Sequence, residues 1–169
     1  MTGEAAALVV LVPEAEPVVG PSRTLHTQDG AAGMPAHVTL LYPFAPIDMV
    51  DIDAVRQIAA AALPFAYELR AVHEWSDGVV YLEPNPDVPF VELTLRLAAR
   101  FPDYPPYGGI HDDVTPHITV VHTDDPRARA DAAASVAGSL PIRCDADEIW
   151  LMHEVNGRWR GHTPFPLGR

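Results

Sequence analysis

A short pattern occurs twice in this chain. In Pro35-Ala36-His37-Val38-Thr39-Leu40 and in Pro116-His117-Ile118-Thr119-Val120, a histidine and a threonine flank one apolar residue and are followed by another, just after a proline. Both runs are rich in leucine and β-branched residues, which favours extended backbone, and in a strand successive side chains alternate between faces. His37 and Thr39 are therefore expected on one face of their strand, and His117 and Thr119 on one face of theirs. Val38, Leu40, Ile118 and Val120 then point into a core. Any fold for this chain must present two strands, eighty positions apart, that are polar on one side and buried on the other.

The residue types define a chemistry. An imidazole titrates near pH ~6.5, so one histidine can act as a base while a second acts as an acid. A threonine hydroxyl two residues on can donate to a phosphate oxygen at each end. A lone His-x-Thr on a strand is commonly only a satisfied structural pair. Two copies in matched settings point instead to a two-histidine phosphodiester site, with His37 and His117 as acid and base and Thr39 and Thr119 binding phosphate. Which histidine is base and which is acid is left open at this level.

These motifs resemble those of the 2H phosphoesterase superfamily, which includes the bacterial 2′-5′ RNA ligase-like proteins and the cyclic nucleotide phosphodiesterases. His37-Val38-Thr39-Leu40 and His117-Ile118-Thr119-Val120 match its paired motifs, and Tyr42-Pro43-Phe44, Gly78–Pro84 and Phe165-Pro166-Leu167-Gly168 add to the likeness. The resemblance implies two similar lobes, each an antiparallel sheet backed by helices, with one histidine strand from each lobe lining a central groove. It implies an enzyme that opens cyclic phosphodiesters or acts on 2′-5′ linkages, with no metal and no cofactor.

Charge narrows the partners. The formal net charge is -12, there is no lysine, and all eleven basic residues are arginines. Such a surface repels long polyanions, which argues against extended RNA or DNA and leaves a small nucleotide or one RNA end. Without lysine, P-loop and Schiff-base chemistries are excluded. Cys144 is the sole cysteine, so no disulfide forms within the chain. Ala5 to Val12 is too short and lacks the basic leader of a signal peptide, and no apolar run reaches the length of a membrane span. The expectation is a cytoplasmic monomer in which 1–169 form one domain.

In chain order, Ala6 to Val12 reads as a buried strand, and Pro13 to Gly33, rich in Pro, Gly and acids, as a long loop carrying His26. Asp48 to Leu63 shows a helical stripe stopped by Pro64; Phe65 to Glu74 and Val79 to Glu83 read as strands, and Val91 to Phe101 as a second helix. Phe101 to Pro116 reads as a loop whose Tyr104 and Tyr107 either cover a base or are simply exposed. His111, Asp112, Asp113 and His117 lack an established zinc spacing, so no metal is assigned. Asp124 to Leu140 predicts a helix. Glu148 to Val155 and Arg158 to Phe165 predict a hairpin about Asn156-Gly157, packed by Trp150 and Trp159, with the direction of His153 and His162 open. His122 has the opposite parity to His117 and is expected to face away from the site. The class is α+β. The functional expectation is a phosphoesterase working by His/His acid–base catalysis; the alternative is a nucleotide-binding module that keeps the groove without chemistry.

Overall fold

The computed structural model of this chain describes residues 5–109 and 113–169. His111 and Asp112, named above as part of a conceivable metal cluster, lie outside the described residues. The strands are β1 (Ala6–Leu11), β2 (His37–Leu41), β3 (Phe65–Glu74), β4 (Val79–Asn85), β5 (Ile118–His122), β6 (Ile142–Ala146), β7 (Glu148–Val155) and β8 (Arg158–Pro166). The helices are α1 (Glu16–His26), α2 (Gln28–Ala31), α3 (Ile52–Ala61), α4 (Val88–Arg100) and α5 (Pro126–Ala137).

Two antiparallel sheets result, with orders β2-β1-β7-β8 and β5-β4-β3-β6. Each motif strand is the edge of its sheet, and the arrangement is the α+β fold expected. Alternation works as the sequence implies: Val38, Leu40, Ile118 and Val120 are buried in the main core. Each such side chain contributes about 2 kcal/mol by leaving water, so a one-residue slip of either strand would expose several of them. At the hairpin, Asn156 and Gly157 both take positive φ, as a two-residue turn of this composition requires.

The segment Pro13 to Gly33 departs from expectation. It is not a long loop but two helices, and His26 closes the first of them. Pro17 stands at the helix start, where a missing N–H costs nothing, but Pro21 lies inside the helix and removes a hydrogen bond. Tertiary contacts override that penalty: Val19 and Arg23, one turn apart, are both buried. Glu16 accepts a hydrogen bond from the Ala36 N–H at 2.6 Å, which ties the start of α1 to the start of β2.

The helices cross between the sheets. α1 leaves the first sheet after β1 and packs against β5, whereas α4 leaves the second sheet after β4 and packs against β2. Each motif strand is thus backed by a helix that follows a strand of the other sheet, and β2 and β5 come together between them.

Candidate active site

Both motif strands carry the same irregularity at the same place. Val9 pairs with Thr39 and Leu8 with Leu41, which leaves Leu40 as an extra residue; Tyr81 pairs with Thr119 and Val80 with Val121, which leaves Val120 as the extra residue. A bulge of this kind reverses the alternation beyond it. Leu41 and Val121 therefore join Leu40 and Val120 in the core, and the residues after them turn back to the polar side. Tyr42 and His122 both line the groove between the sheets. The expectation that His122 faces away is corrected here: strict alternation fails because one residue of β5 is bulged.

The groove has a cavity volume of about 1280 Å³, and His37, Thr39, His117 and Thr119 all border it. His37 Nδ1 lies 2.7 Å from the Pro35 carbonyl, and His117 Nδ1 lies 2.8 Å from the Thr115 carbonyl. A carbonyl only accepts, so each Nδ1 carries the proton. The same backbone device orients both imidazoles, two residues upstream in each case.

Their surroundings differ. His37 is buried at 8 % exposure. Behind it stands Arg23, 1 % exposed, whose guanidinium donates to Asp29 Oδ2 at 3.1 Å, to the Met34 carbonyl at 3.2 Å and to the Thr119 carbonyl at 2.9 Å. Asp29 Oδ2 is also 3.7 Å from His37 Nε2. Burial and the nearby Arg23 charge push the His37 pKa down to about 4, against a smaller upward pull from Asp29. Asp29 itself is held below the usual carboxylate range: its burial, which opposes ionisation, is outweighed by Arg23, by His37 and by hydrogen bonds from Arg23 and Thr27. At neutral pH His37 is an uncharged imidazole beside an ionised aspartate.

His117 sits among rings. Trp75, on the β3–β4 turn, meets it edge-on at 4.8 Å and stacks on Tyr81 at 3.9 Å; Tyr107 lies parallel to it at 6.2 Å. Tyr107 also donates to the Thr115 carbonyl at 3.2 Å, the group that orients His117. Tyr104 packs instead on Phe44, so of the two loop tyrosines only Tyr107 borders the groove. On the other wall Tyr42 meets Trp159 edge-on at 6.0 Å. His153 and His162 face each other at 5.1 Å on the terminal hairpin and do not line the groove.

Among the described residues that line the groove, four are carboxylates (Asp29, Asp77, Asp113 and Glu154) and none is an arginine. No group of three or more described His, Cys, Asp or Glu side chains is placed to hold a metal ion. Cys144 is buried, and its thiol pKa is pushed up to about 12 by burial and by Glu14, so it is no nucleophile at neutral pH. Sequence reasoning missed Arg23, Asp29 and Trp75. A buried stripe of Val19 and Arg23 at helical spacing was the only available signal for the first, and the prolines around it concealed the helix.

Comparison with known proteins agrees with this architecture. LigT of E. coli in complex with NADP+ superposes with a TM-score of 0.60 at 18% identity over 100% of both chains. LigT in complex with 3′-AMP gives 0.57 at 18% identity over 99% of each. A protein of Thermus thermophilus gives 0.63 at 17% identity over 97% of this chain and 98% of that one. No curated protein sequence matches. No helix among the described residues is long and apolar enough to cross a membrane. A family model described as the 2′-5′ RNA ligase superfamily matches residues 11–158, and on that match the chain belongs to this superfamily, the 2H phosphoesterases.

Proposed function

We propose that this chain is a phosphoesterase that opens a cyclic phosphodiester of a small nucleotide, with His37 as general base and His117 as general acid. The observation that carries the reading is the pair of imidazoles bordering one groove, each anchored through Nδ1 to the carbonyl two residues upstream and each followed by a threonine at the second position. In the reaction, His37 Nε2 takes a proton from water as the water oxygen bonds to phosphorus. The bond from phosphorus to one ribose oxygen breaks, and His117 Nε2 delivers a proton to that oxygen. Thr39 and Thr119 donate to the non-bridging oxygens, where charge grows in the transition state. The product is a nucleoside phosphomonoester, and the two imidazoles exchange protons with solvent to reset.

The division of roles follows from surroundings. A base must be neutral when substrate arrives, and the buried His37 beside Arg23 is held neutral. The chemistry needs no metal, because both proton transfers are assigned to side chains.

Substrate size and charge follow from the lining. A groove whose described lining has four carboxylates and no arginine disfavours long RNA and suits a ligand with a single negative charge. LigT has been crystallised with NADP+, ATP and 3′-AMP, which supports a nucleotide-sized ligand. An RNA end bearing a cyclic phosphate or a 2′-5′ linkage is the second choice. We further assign the whole of 1–169 to one domain acting as a monomer.

The test is ring opening of a nucleoside 2′,3′-cyclic phosphate in the presence of chelator, with His37→Ala and His117→Ala in parallel. Opening that survives chelator and is lost in both variants is the expected result. Opening retained in either variant overturns the mechanism, and a nucleotide bound but recovered unchanged assigns the groove to binding alone.

A further inference from the structure

We propose that Arg23 is a positioning residue that couples the two half-sites, holding the second motif strand through the Thr119 carbonyl and setting the charge around His37 together with Asp29. The inference rests on the two-histidine reading given above and adds to it a residue outside both motifs.

The geometry is specific. Arg23 belongs to α1, which follows β1 of the first sheet, yet one arm of its guanidinium reaches the main chain of β5 in the second sheet at 2.9 Å. β5 is an edge strand, and Arg23 supplies a donor to the carbonyl of its motif threonine. The other arm is shared between Asp29 of α2 and the Met34 carbonyl, on the segment that leads into β2. Three segments that carry or adjoin the site thus converge on one buried cation. Of that guanidinium, Nε alone has no partner among the described residues.

Stability alone does not account for such a group. A buried ion pair can often be replaced by apolar side chains with little loss, because desolvation of the charges offsets much of their attraction. What arginine provides here, and an apolar residue would not, is a rigid fork and a fixed charge. The charged and titratable groups facing His37 are Arg23 from α1, Asp29 from α2 and His117 ahead of β5; the Pro35 carbonyl bonds its Nδ1. Arg23 disfavours a proton on His37 and Asp29 favours one, so removing either should move the titration of His37 in opposite directions.

The experiment is an NMR titration of the His37 imidazole, assigned by its absence in His37→Ala, for the native protein and for Arg23→Met, Arg23→Lys and Asp29→Asn. It is paired with kcat/KM against pH on a nucleoside 2′,3′-cyclic phosphate. Arg23→Met should raise the His37 midpoint by about one pH unit, a tenfold change in proton affinity, and Asp29→Asn should lower it. Arg23→Lys keeps the charge but loses the fork. It should leave the midpoint near native, shift the Thr119 and Val120 amide signals and lower kcat about tenfold or more.

The acid limb of the rate profile should follow the midpoint. Unchanged midpoints in both charge variants, or native Thr119 signals and kcat in Arg23→Lys, would overturn the proposal. If Arg23→Met fails to fold, Arg23→Lys and Asp29→Asn still decide each half. If the native protein opens no cyclic phosphate, the proposed activity fails, while the titrations and amide shifts still test the coupling.

Discussion

The two half-sites are alike in backbone and unlike in surroundings. β2 and β5 share the motif, the position at the sheet edge, the anchoring of Nδ1 and the bulge one residue past the threonine. Yet His37 is buried against a guanidinium and a carboxylate, whereas His117 stands beside Trp75, Tyr81 and Tyr107. The repeated device makes two equivalent imidazoles, and what packs behind each one differentiates them. A site that needs one acid and one base can therefore be built from a repeated motif, provided its second layer is not repeated.

The strongest way to break this comparison is to delete each half in turn. His37→Ala and His117→Ala should each lower kcat by roughly 10² to 10⁴, the usual contribution of one acid or base step. Single-turnover ring opening measures it, and a large loss in only one variant would mean that the halves do not share the reaction.

Protonation tests the surroundings of His37 without any substrate. Below pH about 6.5 the unfolded chain takes up a proton on His37 that the folded chain refuses until about pH 4. The depressed native pKa means that stability is retained above pH 6.5 and falls as the pH drops through this window, by about 3 kcal/mol from this residue. Urea unfolding at pH 7 and pH 4 should show a smaller loss for His37→Gln than for the native protein. Equal losses would mean that His37 is not held neutral by its surroundings.

The threonines test the shared part of the device. Thr39→Val and Thr119→Val should each lower kcat about tenfold to a hundredfold with little change in KM, because the hydroxyls are assigned to charge that grows only in the transition state. A change confined to KM would reassign them to ground-state binding.

The smallest effects should come from the aromatic walls. Trp75→Leu is expected to change both kcat and KM by about threefold to tenfold, since Trp75 touches His117, while Trp159→Leu, which touches Tyr42 instead, should alter KM alone. Equal kinetic signatures for the two tryptophans would remove the asymmetry.

Most of the framework was readable from local pattern. Alternation located both motif strands and their buried residues, and Asn156-Gly157 located the terminal hairpin. A helical stripe located α3, although the run from Asp48 divides into a short 3-10 turn and the helix proper. The failures share one cause. α1 was hidden because Gly20 and Pro21 argue locally against a helix, and burial of Val19 and Arg23 on the side that packs against β5 outweighs them. His122 was misdirected because the bulge at Val120 depends on how β5 pairs with β4, which residue types within the strand do not encode.

By itself, the sequence determined which residues repeat the motif, which strands they occupy and which neighbours they bury. These depend on side-chain type and on a two-residue period, both properties of a few consecutive positions. Only the tertiary structure decided that the motif strands meet at one groove, that Arg23 and Asp29 stand behind one histidine and aromatic rings beside the other, and that Tyr42 and His122 turn inward. Those arrangements come from packing between segments far apart in the chain, where long-range burial and strand register outweigh local preference.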